Sequence, residues 1–424
     1  MSAAAARRRK QLAKKASAEA SGGEGTDPVS ARLQSLLSDE SDKSEETAYE
    51  ALQLAQSQVR RFVKTGKYDD ATQLAYDVSM TLLEKMGRAS VASQLLNLLV
   101  QVLNETHTEC TPEWTARFAK IDAAYRAAVT ADATIDAEER ERLGRLHLQF
   151  LRGVVKWSDN LGTVRYGAQD LHELLGNQCW RMAGAYQEED SRAAAAAAAA
   201  AQQAGGDVDE EDEDASVPWL RCEAVTHLSL AEKPSSIASY LKTLPAPTAD
   251  ELKMGHDCPA SERDALLTRS VLVLCAVENL RDANILLRTY IADIESRDVD
   301  DLKKSYMDKK DGRAPAHIIF CSMLLRVCEK EIKTGPLYTW LLKSFGSELS
   351  TMFKPDVVKA YCTKIGRVYF NIEPPPSMMS TLENMMGMMG GGGGAMGGGG
   401  MGGNPMAGMN PAMMQQMMQQ MQGM

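Results

Sequence analysis

The sequence predicts an all-α protein: an α-solenoid of stacked antiparallel helical hairpins with disordered termini. Three observations carry this. Residues 49–86 read as two amphipathic helices folded back through the turn Lys64-Thr65-Gly66-Lys67. Looser copies of that hairpin recur downstream, and several independent helix-start signals follow with little strand alternation between them.

In the first helix of the hairpin, Leu52, Ala55, Val59 and Phe62 share one stripe at 3.6-residue spacing. In the second, Ala71, Leu74, Ala75, Val78 and Leu82 do the same. Gly66 suits the left-handed backbone at a helix end, and Asp69 and Asp70 favour the positive end of the next helix. Tyr68 followed by Ala71, a ring and then a small residue, has the tetratricopeptide pattern that lets paired helices approach closely. A single hairpin cannot bury its own stripe, so neighbours of its kind are required. Residues 279–286 match it at Asp282, Ala283 and the closing Leu286, and a weaker copy surrounds Ala238. A generic helical bundle is the alternative reading.

Residues 91–103 form a strongly apolar buried helix. Thr111-Pro112 pairs an N-cap with a proline at the first helical position. Asp136 to Glu139 is a capping-box variant opening a helix through Phe150 to Trp157; Ser261 opens another, and Pro336 and Pro355 each begin one. Residues 1–44 are a disordered arm with a basic start, read as a solvated arm, an import or acidic-partner patch, or a transit peptide. Residues 45–372 are the solenoid, interrupted at about 190–216 by an alanine run and an acidic cluster that extend a helix and then loop. Residues 373–424 are a flexible Met/Gly/Gln-rich tail.

Composition narrows the function. Acidic residues outnumber basic ones 57 to 47, and the net charge of −10 argues against nucleic acid as a partner. The eight cysteines are scattered without a CxxC pair, which fits a reducing cytosolic setting. The longest apolar runs, at 95–103 and 271–277, fall short of the roughly 18 residues that span a bilayer, so no integral membrane segment is expected. Six histidines lie dispersed, none four residues from another, and no phosphate-binding loop or nucleotide fingerprint occurs. Neither an enzyme nor a cofactor- or metal-binding protein is predicted.

Recognition remains. Arg60 and Lys64 lie one turn apart on the outer face of the first helix, with Arg61 beside them and Lys67 in the turn. Like charges so spaced cost a few tenths of a kcal/mol, about 0.2–0.5, and serve an acidic partner; a solvated basic face is the plain alternative. In the tail, Met413, Met414, Met417, Met418 and Met421 give a polarizable thioether surface suited to hydrophobic client segments.

Three stretches resemble the Golgi-to-ER traffic protein 4 family: the opening hairpin, residues 165–176 with Asp170-Leu171-His172, and residues 365–390, where an aromatic helix ends in a Pro-Pro break before an apolar tail. The likeness covers about residues 45–390, although the Gly-Asp-Pro turn of the family stands here as Gly167-Ala168-Gln169-Asp170 and the tail runs past the usual ending. The resemblance implies a cytosolic, non-catalytic scaffold in the targeting of tail-anchored membrane proteins. Its N-terminal half would dock a targeting ATPase through Arg60, Arg61, Lys64 and Lys67. Its C-terminal half would hold an adaptor with a ubiquitin-like domain around Ile318, Phe320, Leu324 and Leu325, with Tyr338 and Leu342 nearby. The resemblance further implies that this adaptor would recruit a glutamine-rich tetratricopeptide co-chaperone. Two other readings stand beside it: a holdase acting through the Met-rich tail, and a helical scaffold of another complex.

Overall fold

The computed structural model describes residues 28–38, 44–132, 134–200, 216–245, 261–292 and 316–373. Among these residues the chain is helical throughout, without strands. In order the helices are α1 (Pro28–Ser38), α2 (Glu45–Lys64), α3 (Tyr68–Glu84), α4 (Ala89–Glu105), α5 (Pro112–Ala131), α6 (Ala137–Leu161), α7 (Gln169–Ala200) and α8 (Val217–Leu230). Then follow α9 (Pro234–Thr243), α10 (Glu262–Ala276), α11 (Leu280–Tyr290), α12 (Ala316–Cys328), α13 (Gly335–Ser344), α14 (Gly346–Ser350) and α15 (Pro355–Phe370).

The start signals act as the side chains dictate. Thr111 Oγ1 accepts from the Trp114 N–H at 3.4 Å, an Asp136 carboxylate oxygen from Glu139 at 2.8 Å, and Ser261 Oγ from Asp264 at 3.3 Å. Each satisfies an N–H that the first helical turn leaves without an internal partner. Pro112 and Pro355 open α5 and α15, and Pro336 lies in the first turn of α13. Gly66 turns the opening hairpin at φ +74°.

Stacking follows from the stripes. Through α8, the principal contacts of each helix are with the next helix or the next but one, which is solenoid packing. Ala51, Ala55, Ala71 and Ala75 are fully buried between α2 and α3, where their small side chains allow the backbones to close. Tyr68 departs from expectation. It stands 46 % exposed at the first position of α3, at the turn end of the hairpin, and alanines set the approach instead. Deeper in, Trp157 packs edge-on against Trp114 and Phe118, and its indole N–H donates to the Thr108 carbonyl at 3.0 Å.

The buried side chains form two cores that meet at α8. Leu220 and Ala224 belong to the first, which begins at Leu33; Cys222, Val225 and Leu228 belong to the second, which ends at Phe370. In the second core, α10 packs against α8, α11, α12 and α15 and is buried on all faces from Arg263 to Ala276. The repeat copies land as expected: Asn279 caps α11, and Ala283 and Ala238 are buried as Ala71 is.

The seam between the cores is tight because Gly176 of α7 lies against α8. A Cβ there would stand 2.8 Å from Leu228 Cγ and 3.0 Å from the Ala224 carbonyl oxygen. Gly176→Ala should therefore destabilise the fold by about 1–3 kcal/mol despite the better helix propensity of alanine. Thermal melting followed by circular dichroism checks this; an unchanged or raised melting temperature would show that the two helices can part without cost.

Candidate functional site

The basic residues singled out in the sequence come together on α2. Arg60, Arg61 and Lys64, with Gln53, Gln56 and Ser57, line a shallow depression of about 530 Å³ on the outer face of the helix. The heptad-like spacing puts them there: the same helix buries Ala48, Leu52, Ala55 and Val59 on its opposite side. Lys67 is exposed in the turn beyond the last residue of α2, outside the depression, next to the exposed ring of Tyr68. The face is polar and cationic and carries no catalytic geometry. It offers donors to carboxylates of a partner.

The C-terminal residues are placed differently from expectation. Ile318, Phe320, Leu324 and Leu325 are between 0 and 2 % exposed. They sit inside the second core because α12 packs against α10, α11 and α13 together, and nearly every face of α12 is covered. These four side chains hold the fold and present nothing for an adaptor to touch. Tyr338 is buried as well, its hydroxyl donating to the Cys362 carbonyl at 2.6 Å. Among the described residues of this region, Leu337 and Trp340 are the most exposed large apolar side chains, 55 % and 54 % exposed, three residues apart on α13. Sequence reading missed them, because Leu337 and Trp340 flank the stripe of α13 that carries Tyr338 and Leu341 and the helical period alone does not separate the two.

A second arrangement had no sequence signal. His172 of α7 and His227 of α8, 55 residues apart, stack with Nδ1 atoms 2.7 Å apart. His172 Nε2–H donates to the Tyr166 carbonyl at 2.6 Å, which leaves Nδ1 of His172 to accept from His227. Burial holds both imidazoles below their ordinary pKa, His227 down to about 3 with help from neighbouring His172 and Arg152. Arg152 is itself clamped by Glu223 at 2.8 and 2.6 Å. The pair is a structural joint of the seam.

Among the described residues, no group of three or more His, Cys, Asp or Glu is arranged to hold a metal ion, and no helix is long and apolar enough to cross a membrane. The methionines from 413 to 421 lie outside the described residues.

Comparison with known proteins agrees with this architecture. A relative in Arabidopsis thaliana, Protein GET4, is 21 % identical over 356 residues, covering 81 % of this chain and 91 % of its own length. The crystal structure of C. therm. Get4 superposes with a TM-score of 0.50 at 19 % identity, covering 87 % of this chain and 98 % of that one. The family description Golgi to ER traffic protein 4 matches residues 65–389. A match over most of its length establishes that this helical solenoid belongs to the Golgi to ER traffic protein 4 family, whose role lies in the tail-anchored protein pathway.

Proposed function

We propose that the chain is a cytosolic, non-catalytic scaffold that brings together two proteins of tail-anchored protein targeting. The targeting ATPase docks on the opening hairpin through Arg60, Arg61, Lys64 and Lys67. The adaptor with a ubiquitin-like domain is held in the C-terminal half, and a glutamine-rich co-chaperone is recruited through that adaptor rather than by this chain.

The observation that carries the reading is a pair of unlike exposed surfaces on separate parts of the chain: a cationic face on α2 and an apolar pair, Leu337 and Trp340, on α13. The first suits an acidic surface reached by electrostatic steering. The second suits a partner that buries an aromatic anchor, the side-chain type that dominates binding energy at interfaces. Large apolar side chains grouped on an outer face mark contact sites more often than scattered ones do. With Ile318, Phe320, Leu324 and Leu325 in the core, the adaptor surface of this reading moves to α13.

Leu337→Ala with Trp340→Ala should weaken capture of the adaptor by about tenfold or more while leaving ATPase binding and melting temperature unchanged. Isothermal titration against each purified partner checks this. Undiminished adaptor affinity would remove α13 from the docking surface.

A further inference from the structure

A cavity of about 480 Å³ opens between α5, α6 and α7, away from both surfaces above. Three guanidinium groups reach it, one from each helix: Arg126, Arg140 and Arg181. Beneath them lie Asp122 and His147, 1 % exposed each. One carboxylate oxygen of Asp122 accepts from Arg126 at 2.7 and 2.9 Å, and the other stands 3.2 Å from His147 Nε2.

The other two arginines find no such anion among the described residues. Arg181 donates to the neutral Gln178 Oε1 at 2.9 and 3.2 Å, and Arg140 to the Ile135 carbonyl at 3.2 Å. Glu141, the acid that lines the cavity, is engaged by Arg145 at 3.0 Å. With Asp122 bonded to Arg126 and Glu141 to Arg145, neither Arg140 nor Arg181 has an anionic hydrogen-bond partner among the described residues. Burial pushes the Arg181 pKa down, and the positive charge of Arg126 pushes it the same way, opposed by Asp122. All three arginines are solvent-exposed at the cavity mouth, where like charges repel until an anion enters, and guanidinium forks match carboxylate oxygens two at a time. Val129, Met182, Ala185 and the ring of Tyr186 make the walls apolar, so a bare inorganic ion leaves most of the space unfilled.

We propose that this cavity binds an acidic segment of a partner polypeptide, with Arg126, Arg140 and Arg181 taking its carboxylates and the apolar walls taking an interspersed aliphatic side chain. The volume falls within the roughly 300–1,000 Å³ of ordinary ligand pockets. The site is distinct from the α2 face, so it stands or falls independently of ATPase docking.

The test is fluorescence anisotropy of the full chain with a fluorescein-labelled hexapeptide, Asp-Leu-Glu-Glu-Leu-Asp. Binding should saturate and weaken with added salt. It should fall by about tenfold or more in Arg140→Gln/Arg181→Gln. The same loss is expected in Ala185→Phe, which fills the cavity without altering charge. Melting temperatures verify that both variants fold. Reversal of Arg60, Arg61 and Lys64 to glutamate should leave this binding unchanged. The proposal is overturned by absence of saturable binding, by equal binding of the Asn/Gln version of the peptide, or by a loss confined to the α2 variant. It is also overturned if inositol hexakisphosphate binds the cavity and the peptide does not, which would make it a site for a phosphorylated small molecule.

Discussion

Replacing Arg60, Arg61 and Lys64 by glutamate should weaken the complex with the targeting ATPase by about 100-fold or more, at about 1 kcal/mol for each reversed charge. All three side chains are exposed on the outer face of α2, opposite the buried Leu52, Ala55 and Val59. The substitutions therefore act on the surface and not on the core, and the melting temperature should move little. Most of the loss should appear in the association rate, because charges at the edge of a contact steer encounter, and the wild-type complex should weaken as salt is added. Lys67→Glu added to the triple variant should deepen the defect only modestly, since Lys67 lies in the turn beyond the depression. Titration calorimetry and stopped-flow binding read both effects. An unchanged affinity in the triple variant would mean that the ATPase does not use this face.

Acidification should loosen the middle of the solenoid. A histidine kept neutral by burial contributes stability that is complete above the pKa of the unfolded side chain, about 6.5, and is lost as the pH falls toward the folded value. His227 is held down to about 3 by burial and by its neighbours His172 and Arg152. Between pH 7 and pH 5 it alone should remove about 2 kcal/mol of stability. His147 and His172 are also held low, chiefly by burial, and act in the same direction over the same range. Asp122, whose pKa is lowered by His147 and Arg126 against the cost of its burial, loses its contribution only below the ordinary carboxylate range and does not mask the effect. Denaturant unfolding at pH 7 and pH 5 checks this. In His227→Gln the pH dependence should be flatter by about the same 2 kcal/mol, at the expense of stability at pH 7. Equal stability at both pH values would show that the pair is solvated rather than buried.

The parts of the fold that were legible in the sequence are those settled within a few residues. Thr111, Asp136 and Ser261 announce helix starts because each bonds the N–H three residues ahead. The stripes of α2 and α3 announce their buried faces because only one face is apolar. Where a helix is apolar on all sides, that signal vanishes. In α12 nothing local separates core from partner surface, so Ile318, Phe320, Leu324 and Leu325 read as contacts and prove to be core. The reverse holds on α13: Leu337 and Trp340 look like ordinary helix positions until the covered face is known to carry Tyr338 and Leu341. Tyr68 follows the tetratricopeptide spacing but lies at the turn end of the hairpin, where its ring stays half exposed. Neither the His172–His227 joint nor the three-arginine cavity is visible in one dimension, because each is assembled from separate helices. The basic face of α2 was legible because its residues fall within one turn and a half of a single helix.

Under the proposed function, one chain holds two partners at once on separate surfaces. Sedimentation velocity of the chain mixed with the ATPase and the adaptor tests it directly. A single species with the summed mass of all three is predicted, losing only the ATPase in the α2 charge reversal and only the adaptor in the Leu337/Trp340 variant. Mutually exclusive binding, or loss of both partners from either variant, would contradict it.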